Sequence, residues 1–236
     1  MSSDIASRVE SALSQIAHAC ERAGRTDNVE LELAIKTRSV SECETAARTL
    51  ENFDQPIIFG QNRVQEAEVT TPALRVLGLE NFRPTLIGPL QRNKINKVLR
   101  VVDEIETVDS LVLAEAINQR VEDDRVLDVL IQVNTSGEET KSGVAPAQAL
   151  DLADQMAALP RLRVTGFMTI GAHTSNEALV RKSFADLREI RDQAIVRPHL
   201  AQAHTLSMGM SGDFPLAIAE GATRIRLGSS IFGPRS

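Results

Sequence analysis

The residues best placed to do chemistry are one lysine, two arginines and two turns rich in serine and glycine. Lys36 ends the segment LELAIK (31–36). On the period-2 alternation of a strand, Glu32, Ala34 and Lys36 share one face and Leu31, Leu33 and Ile35 the other. The aliphatic face suits a helix layer, so Lys36 points to the opposite side, above the small Ala34. An amine partly withdrawn from water favours its neutral form, the nucleophile of imine chemistry. Near the other end of the chain lie Ser207-Met208-Gly209-Met210-Ser211-Gly212-Asp213 and Leu227-Gly228-Ser229-Ser230. Backbone N–H groups and hydroxyls in such turns can cradle a phosphate. Between them, TRIRLG (223–228) places Arg224 and Arg226 on one face of a strand, with Ile225 and Leu227 on the other. A buried guanidinium needs a partner. Arg226, nearer the strand end, is expected to meet a heteroatom of a bound ring, and Arg224, deeper, to pair with Glu32. A strand-end lysine or a single Gly/Ser turn is ordinary surface chemistry. The combination is not.

What could bring residue 36 beside residues 207–230 is the order of elements. Helical periodicity runs from Ser3 to Gly24 through Ile5, Val9, Leu13, Ile16 and Ala17. Short apolar strands then alternate with amphipathic stretches: 31–36, 56–60, 85–88, 105–109, 129–134, 163–169, 205–209 and 223–228. Strand–helix alternation implies a parallel sheet, and eight units imply closure into an α/β (β/α)₈ TIM-type barrel with an extra N-terminal helix, one domain over 1–236. A doubly wound open sheet is disfavoured because the first turn, IKTRSVSE, lacks the glycines of a dinucleotide fold. In a barrel the working rim is at the carboxyl ends of the strands, and phosphates sit on the loops after strands 7 and 8. Asn62, Gln132, Asn134 and Thr169 also fall at strand ends.

Composition narrows the class. Hydrophobic residues make up 42% and charged residues 25%, enough for a full core. The net charge of -6 argues against a nucleic-acid binder, which needs a positive field. The opening MSSDIASRVE has neither a basic nor an apolar signal region, and no apolar run approaches a membrane span, so a cytoplasmic protein without membrane contact is expected. Cys20 and Cys43 lack CxxC spacing and are expected as buried free thiols. His18, His173, His199 and His204 show no zinc-ligand spacing.

The motifs LELAIKTRS, IIFGQNRVQEA, LIGPLQRNK, LIQVNTSGEETKSG, GFMTI and LSMGMSGDFPLAIAEGATRIRLGSSIFGPR together resemble the pyridoxal phosphate homeostasis proteins, which are related to the N-terminal barrel domain of alanine racemase. The resemblance implies a fold-type III barrel carrying pyridoxal 5′-phosphate as a Schiff base on Lys36. It implies Ser211, Gly228 and Ser229 at the phosphate, Ser207 and Met210 lining that loop, Arg226 at the pyridine nitrogen and Asn62 beside the ring. An arginine at that nitrogen keeps it unprotonated and weakens the ring as an electron sink. Two segments depart from the family pattern. The usual FGEN-Tyr reads Phe59-Gly60-Gln61-Asn62-Arg63, and a Trp-His pair reads Pro84-Thr85, in a chain with no Tyr and no Trp.

The function implied is a non-catalytic carrier and regulator that limits free aldehyde and hands the cofactor to apo-enzymes, as a monomer or weak dimer. The alternative is a small fold-type III enzyme, a racemase or decarboxylase. A two-base racemase needs a second proton-transfer group opposite the lysine, and the tyrosine used by alanine racemase has no counterpart here. A lysine-imine aldolase acting on a sugar phosphate is a third reading, which leaves Arg226 without a role.

Overall fold

The computed structural model describes residues 2–138 and 140–233. Its centre is a closed barrel of eight parallel strands in chain order. The strands are β1 (Glu30–Ala34), β2 (Ile57–Gln61), β3 (Phe82–Leu86), β4 (Glu104–Val108), β5 (Leu127–Gln132), β6 (Leu162–Met168), β7 (Thr205–Ser207) and β8 (Arg224–Leu227). β8 returns to β1, with Glu30 opposite Arg224 and Glu32 opposite Arg226. The helices are α1 (Ser2–Arg22), α2 (Val40–Asn52), α3 (Val64–Arg75), α4 (Ile95–Val98), α5 (Leu111–Asn118), α6 (Ala149–Ala157), α7 (Glu177–Ile195), α8 (Phe214–Ala219) and α9 (Ser229–Phe232). The expected (β/α)₈ barrel with an extra leading helix is the fold observed.

Alternation within each strand divides the core in two. Leu31, Leu33, Ile57, Phe59, Ile105, Val129, Ile131, Phe167, Ile225 and Leu227 face the helices and join one buried apolar cluster. Each such side chain contributes roughly 1.5–3 kcal/mol by leaving water. The opposite face of the strands lines the lumen, which is unusually polar. Glu32, Thr85, Glu104, Glu106, Ser207, Arg224 and Arg226 are all buried there, alongside Ile58, Leu130 and Met168.

α1 presents Ile5, Val9, Ala12, Ile16 and Ala19 on one stripe, spaced four, three, four and three, and packs against α2, α8 and α9. Two arginines stitch this layer down. Arg8 donates to the Ile231 carbonyl at 3.3 Å, and Arg25 donates to those of Ile218 and Ala222 at 2.9 and 2.6 Å.

Most strands begin and end earlier than their apolar runs suggest. The third, expected over 85–88, begins at Phe82 and includes Arg83 and Pro84. A charged residue stands first or second in these strands, Glu30, Arg83, Glu104, Asp128 and Arg163, where salt bridges between strands replace apolar contacts. β1 ends at Ala34, not Lys36, although the Ile35 N–H still reaches the Gly60 carbonyl at 3.1 Å. The segment NKINKVLR forms only a 3₁₀ turn and the one-turn α4. α3 runs to Arg75, well past the stretch of Val64–Glu68 that periodicity suggested, and α9 was not expected at all. Cys43 is buried and Cys20 half-buried, and both are free thiols. Burial pushes the Cys43 thiol up to about 12.

Candidate functional site

From floor to mouth, the lumen is organised around the two arginines of β8. Arg224 is 1% exposed and donates from Nε to Glu30 at 2.9 Å and from Nη1 to Glu106 at 2.5 Å and to Glu104. The expected Arg224–Glu32 pair is therefore replaced by these three partners. The stagger of the closing strands puts Glu30 level with Arg224 and lifts Glu32 to the level of Arg226. Glu32 instead accepts the Thr85 hydroxyl on Oε1, and its Oε2 has no hydrogen-bond partner among the described residues.

These carboxylates differ in charge state. Burial, then the nearby Glu106 charge, holds the Glu32 carboxyl well above the usual glutamate range. Burial also raises Glu104, against the pull of Arg224. Glu106 is just as buried, but the charges of Arg224 and Arg226 and the hydrogen bonds from Ser207 and Arg224 outweigh that burial and hold it low. Burial opposes the Arg224 charge, and its carboxylate neighbours over-compensate, leaving it well above the usual arginine value.

Arg226 lies one layer higher and is 6% exposed. Its Nη1 donates to Ser207 Oγ at 2.6 Å and its Nη2 to the Thr169 carbonyl at 2.7 Å. Ser207 Oγ donates in turn to Glu106 at 2.6 Å. Ser207 is thus fully buried beneath the mouth, with its hydroxyl turned to Glu106 and Arg226.

At the mouth, Lys36 is half-buried in the turn that follows β1. Ile35 is buried in the apolar cluster, and Lys36 follows it in the turn just past the end of β1. Thr37 turns the chain away with φ 54, and Ser39 then starts α2 through a reciprocal capping box with Glu42. Gly228, at the end of β8, lies against the end of β1. A Cβ at position 228 would sit 3.2 Å from the Ala34 carbonyl oxygen and 3.3 Å from its Cβ.

Ser229 opens α9, whose first N–H groups have no intrahelical acceptors. The loops after β7 and β8 meet where Ser211 Oγ and Ser230 Oγ lie 3.0 Å apart, both exposed. Gly209 begins the first of these loops with φ +91, and its carbonyl accepts the Arg226 N–H at 3.0 Å. The Asp213 carboxylate accepts the Met210 N–H at 2.6 Å, which shapes that loop, and the Met210 side chain is exposed on the rim.

Asn62 follows β2, and its Oδ1 is buried without a partner among the described residues. An orphaned acceptor beside the mouth fits a site that receives a donor from a ligand. Gln132 and Asn134 have a different task. Gln132 donates to the Ser142 carbonyl and Asn134 to those of Glu138 and Lys141, so both amides shape the loop after β5. Thr169 pairs its hydroxyl with Thr135 at 2.9 Å.

Sequence reasoning missed Glu104 and Glu106, which carry the lumen's charge balance, the role of Thr85 in holding Glu32, and Arg8 at the rim. Alternation of Glu104 and Glu106 about Ile105 contained the signal, but acidic residues in a short strand read as solvent-facing, and a register shift between Ile105 and Val108 breaks the pattern before the strand ends. Arg8 of α1 lines a small cleft with Ser211 and Ser230, a placement that depends on where α1 docks. Among the described residues no group of three or more His, Cys, Asp or Glu could hold a metal ion, and no helix is long and apolar enough to cross a membrane.

The family described as alanine racemase, N-terminal domain matches residues 12–236. A pyridoxal phosphate homeostasis protein of Aquifex aeolicus is 40% identical over 97% of this chain and 97% of its own length. The protein of the same name in Escherichia coli is 36% identical over 98% and 97%. Among solved structures, PipY of Synechococcus elongatus with PLP bound superposes with a TM-score of 0.79 at 32% identity, covering 97% of this chain and all (100%) of PipY. Alanine racemase of Corynebacterium glutamicum shares the fold, with a TM-score of 0.69 at 17% identity over 99% of this chain and 61% of that one. On these matches, nearly end to end, the chain belongs to the pyridoxal phosphate homeostasis proteins within the alanine racemase N-terminal domain family.

Proposed function

We propose that this chain, as one barrel domain in the cytoplasm, holds pyridoxal 5′-phosphate as a Schiff base on Lys36. Its role is to keep the cofactor available to apo-enzymes without turning over a substrate. The observation that carries the reading is the meeting of the β8 end with the β1 end. Gly228 lies against Ala34, two residues before Lys36, and the Ser211 and Ser230 hydroxyls converge at the neighbouring helix start. The PLP-bound PipY structure, at 32% identity, supports the same ligand for this site.

Bound there, the cofactor supplies an aldehyde carbon to react with an amine. The remaining work belongs to the chain. The N–H groups of Ser229 and Ser230 and the hydroxyls of Ser211 and Ser229 receive the phosphate at the start of α9, where those N–H groups have no intrahelical acceptor. Gly228 admits that group because its place against Ala34 leaves little room for a side chain. Arg226, anchored from below by Ser207 and Thr169, presents a permanently charged donor to the ring nitrogen, which therefore stays unprotonated. Asn62 offers its unpartnered Oδ1 at the ring edge, and Met210 covers the rim. The chain has no tyrosine to act as a second base opposite Lys36, which favours holding the cofactor over racemising an amino acid.

Adding pyridoxal 5′-phosphate to the purified protein should produce a yellow imine band. Borohydride should fix it, and peptide mass mapping should place the adduct on Lys36. Lys36→Ala should lose the fixed adduct while its thermal midpoint stays close to the parent, because the side chain is half-exposed at the mouth. An adduct on another lysine, or no imine at all, would defeat the reading.

A further inference from the structure

The cofactor reading leaves unused a chain of polar contacts that runs from Arg226 down through the lumen. Glu106 stands at its centre. Its Oε2 accepts from Ser207, which accepts from Arg226, and its Oε1 accepts from Arg224. Arg224 continues the chain to Glu104 and Glu30, and Glu30 lines the cleft at the far end of the barrel.

The placement of Glu106 is specific. It is 0% exposed and gives one oxygen to each guanidinium, directly or through a hydroxyl. Without a negative charge there, the buried Arg226 guanidinium would be held by two neutral acceptors, the Ser207 hydroxyl and the Thr169 carbonyl, which is unfavourable for a buried cation. The groups around it do not substitute. Glu32 of β1, level with Arg226, is occupied with Thr85 of β3. Glu104 of β4 serves Arg224, with Arg83 of β3 acting on it from the floor. Asp128 of β5 is paired with Arg163 of β6. Asp213, in the loop after β7, feels the Arg226 charge from the rim, where its Oδ1 accepts the Met210 N–H.

Resting on the assignment of the cofactor to Lys36 and Arg226, we propose that Glu106 is a positioning residue for it. Through the Ser207 hydroxyl it fixes the Arg226 guanidinium at the ring nitrogen and supplies the negative charge that offsets that guanidinium. The net positive field that reaches the imine is then set by a residue that never touches the cofactor.

The test is a pH titration of the imine band in cofactor-loaded protein. Glu106→Gln keeps the shape and an acceptor for Ser207 but removes the charge. The field at the imine becomes more positive, so its protonated, yellow form should give way at a pH lower by on the order of one unit. Glu106→Asp, which restores the charge, should recover part of that shift. A structural role alone would lower stability and leave the midpoint where it was, so an unchanged midpoint in Glu106→Gln overturns the proposal. Should that variant not fold, Ser207→Ala keeps the carboxylate partners of Arg224 and cuts only the link to Arg226. Its midpoint should move the same way by less, and no movement overturns the proposal equally. An unsubstituted protein that forms no reducible imine on Lys36 defeats the underlying assignment instead, so the two failures are distinguishable.

Discussion

Glu32 shows how a side chain's position in the barrel decides its chemistry. It lies on the lumen face of β1, the strand that leads to Lys36, yet is sealed from water, with one oxygen on Thr85 and the other without a partner among the described residues. Burial and the Glu106 charge keep its folded value well above the ordinary 4.5. The folded chain then retains a proton that the unfolded chain releases above about pH 4.5, so Glu32 subtracts stability progressively as pH rises through that value. Glu32→Gln cannot titrate and escapes this loss. The unfolding free energy of the variant relative to the parent should climb from pH 4.5 towards neutrality, by at most about 1.4 kcal/mol per pH unit. Urea unfolding across that range measures it, and a flat difference would mean that Glu32 is ionised in the folded state. Glu106 titrates in the opposite sense: held low, it adds stability above the ordinary value that is lost on acidification.

The elements that matter most for the site are the short ones. β7 is three residues long, and the loop after it must leave the barrel at once to reach α8. Gly209 makes that exit with φ +91, and a Cβ there would lie 2.5 Å from the Ala217 Cβ. Gly209→Ala meets both obstacles and should destabilise the fold by about 2–3 kcal/mol. Because the Gly209 carbonyl also holds the Arg226 N–H, the variant should bind pyridoxal 5′-phosphate more weakly in an equilibrium titration. Parent-like stability and affinity would show that the loop relaxes freely. Chemistry at this rim is therefore tied to backbone conformation as much as to side chains. The turn's glycine and serine content was legible in the sequence, but its demand for a left-handed residue was not.

At the scale of the whole molecule, closure is what assembles the site. β8 pairs with β1 along four residues and so brings Gly228 and Arg226 to the strand that leads to Lys36, almost two hundred positions away in the chain. The (β/α)₈ order and its leading helix were readable because apolar runs and amphipathic stretches alternate eight times. Strand limits were less readable, since a polar lumen breaks the apolar pattern at Arg83, Glu104 and Asp128. With the cofactor on Lys36 as proposed, and no tyrosine in the chain to act as an opposing base, the site should hold its ligand passively. Incubated in deuterium oxide with the cofactor-loaded protein, alanine and other amino acids should keep their α-protons over hours by proton NMR. Exchange at useful turnover that disappears in Lys36→Ala would make the protein an enzyme.

By itself the sequence determined which residues can do chemistry and roughly where each stands along its strand. Alternation is local, so Lys36, Arg226 and the glycine–serine turns could be placed at strand ends before any fold was known. Only the tertiary structure decided which charges meet. The stagger between β1 and β8 put Glu30 beside Arg224, barrel closure brought Glu104 and Glu106 of β4 to it across the lumen, and Glu32 was left with Thr85. Packing around Ser207 turned its hydroxyl inward to Glu106 and Arg226. The physical reason is that hydrophobic periodicity repeats within one strand, whereas a buried ion pair depends on the register between strands, which is set when the barrel closes.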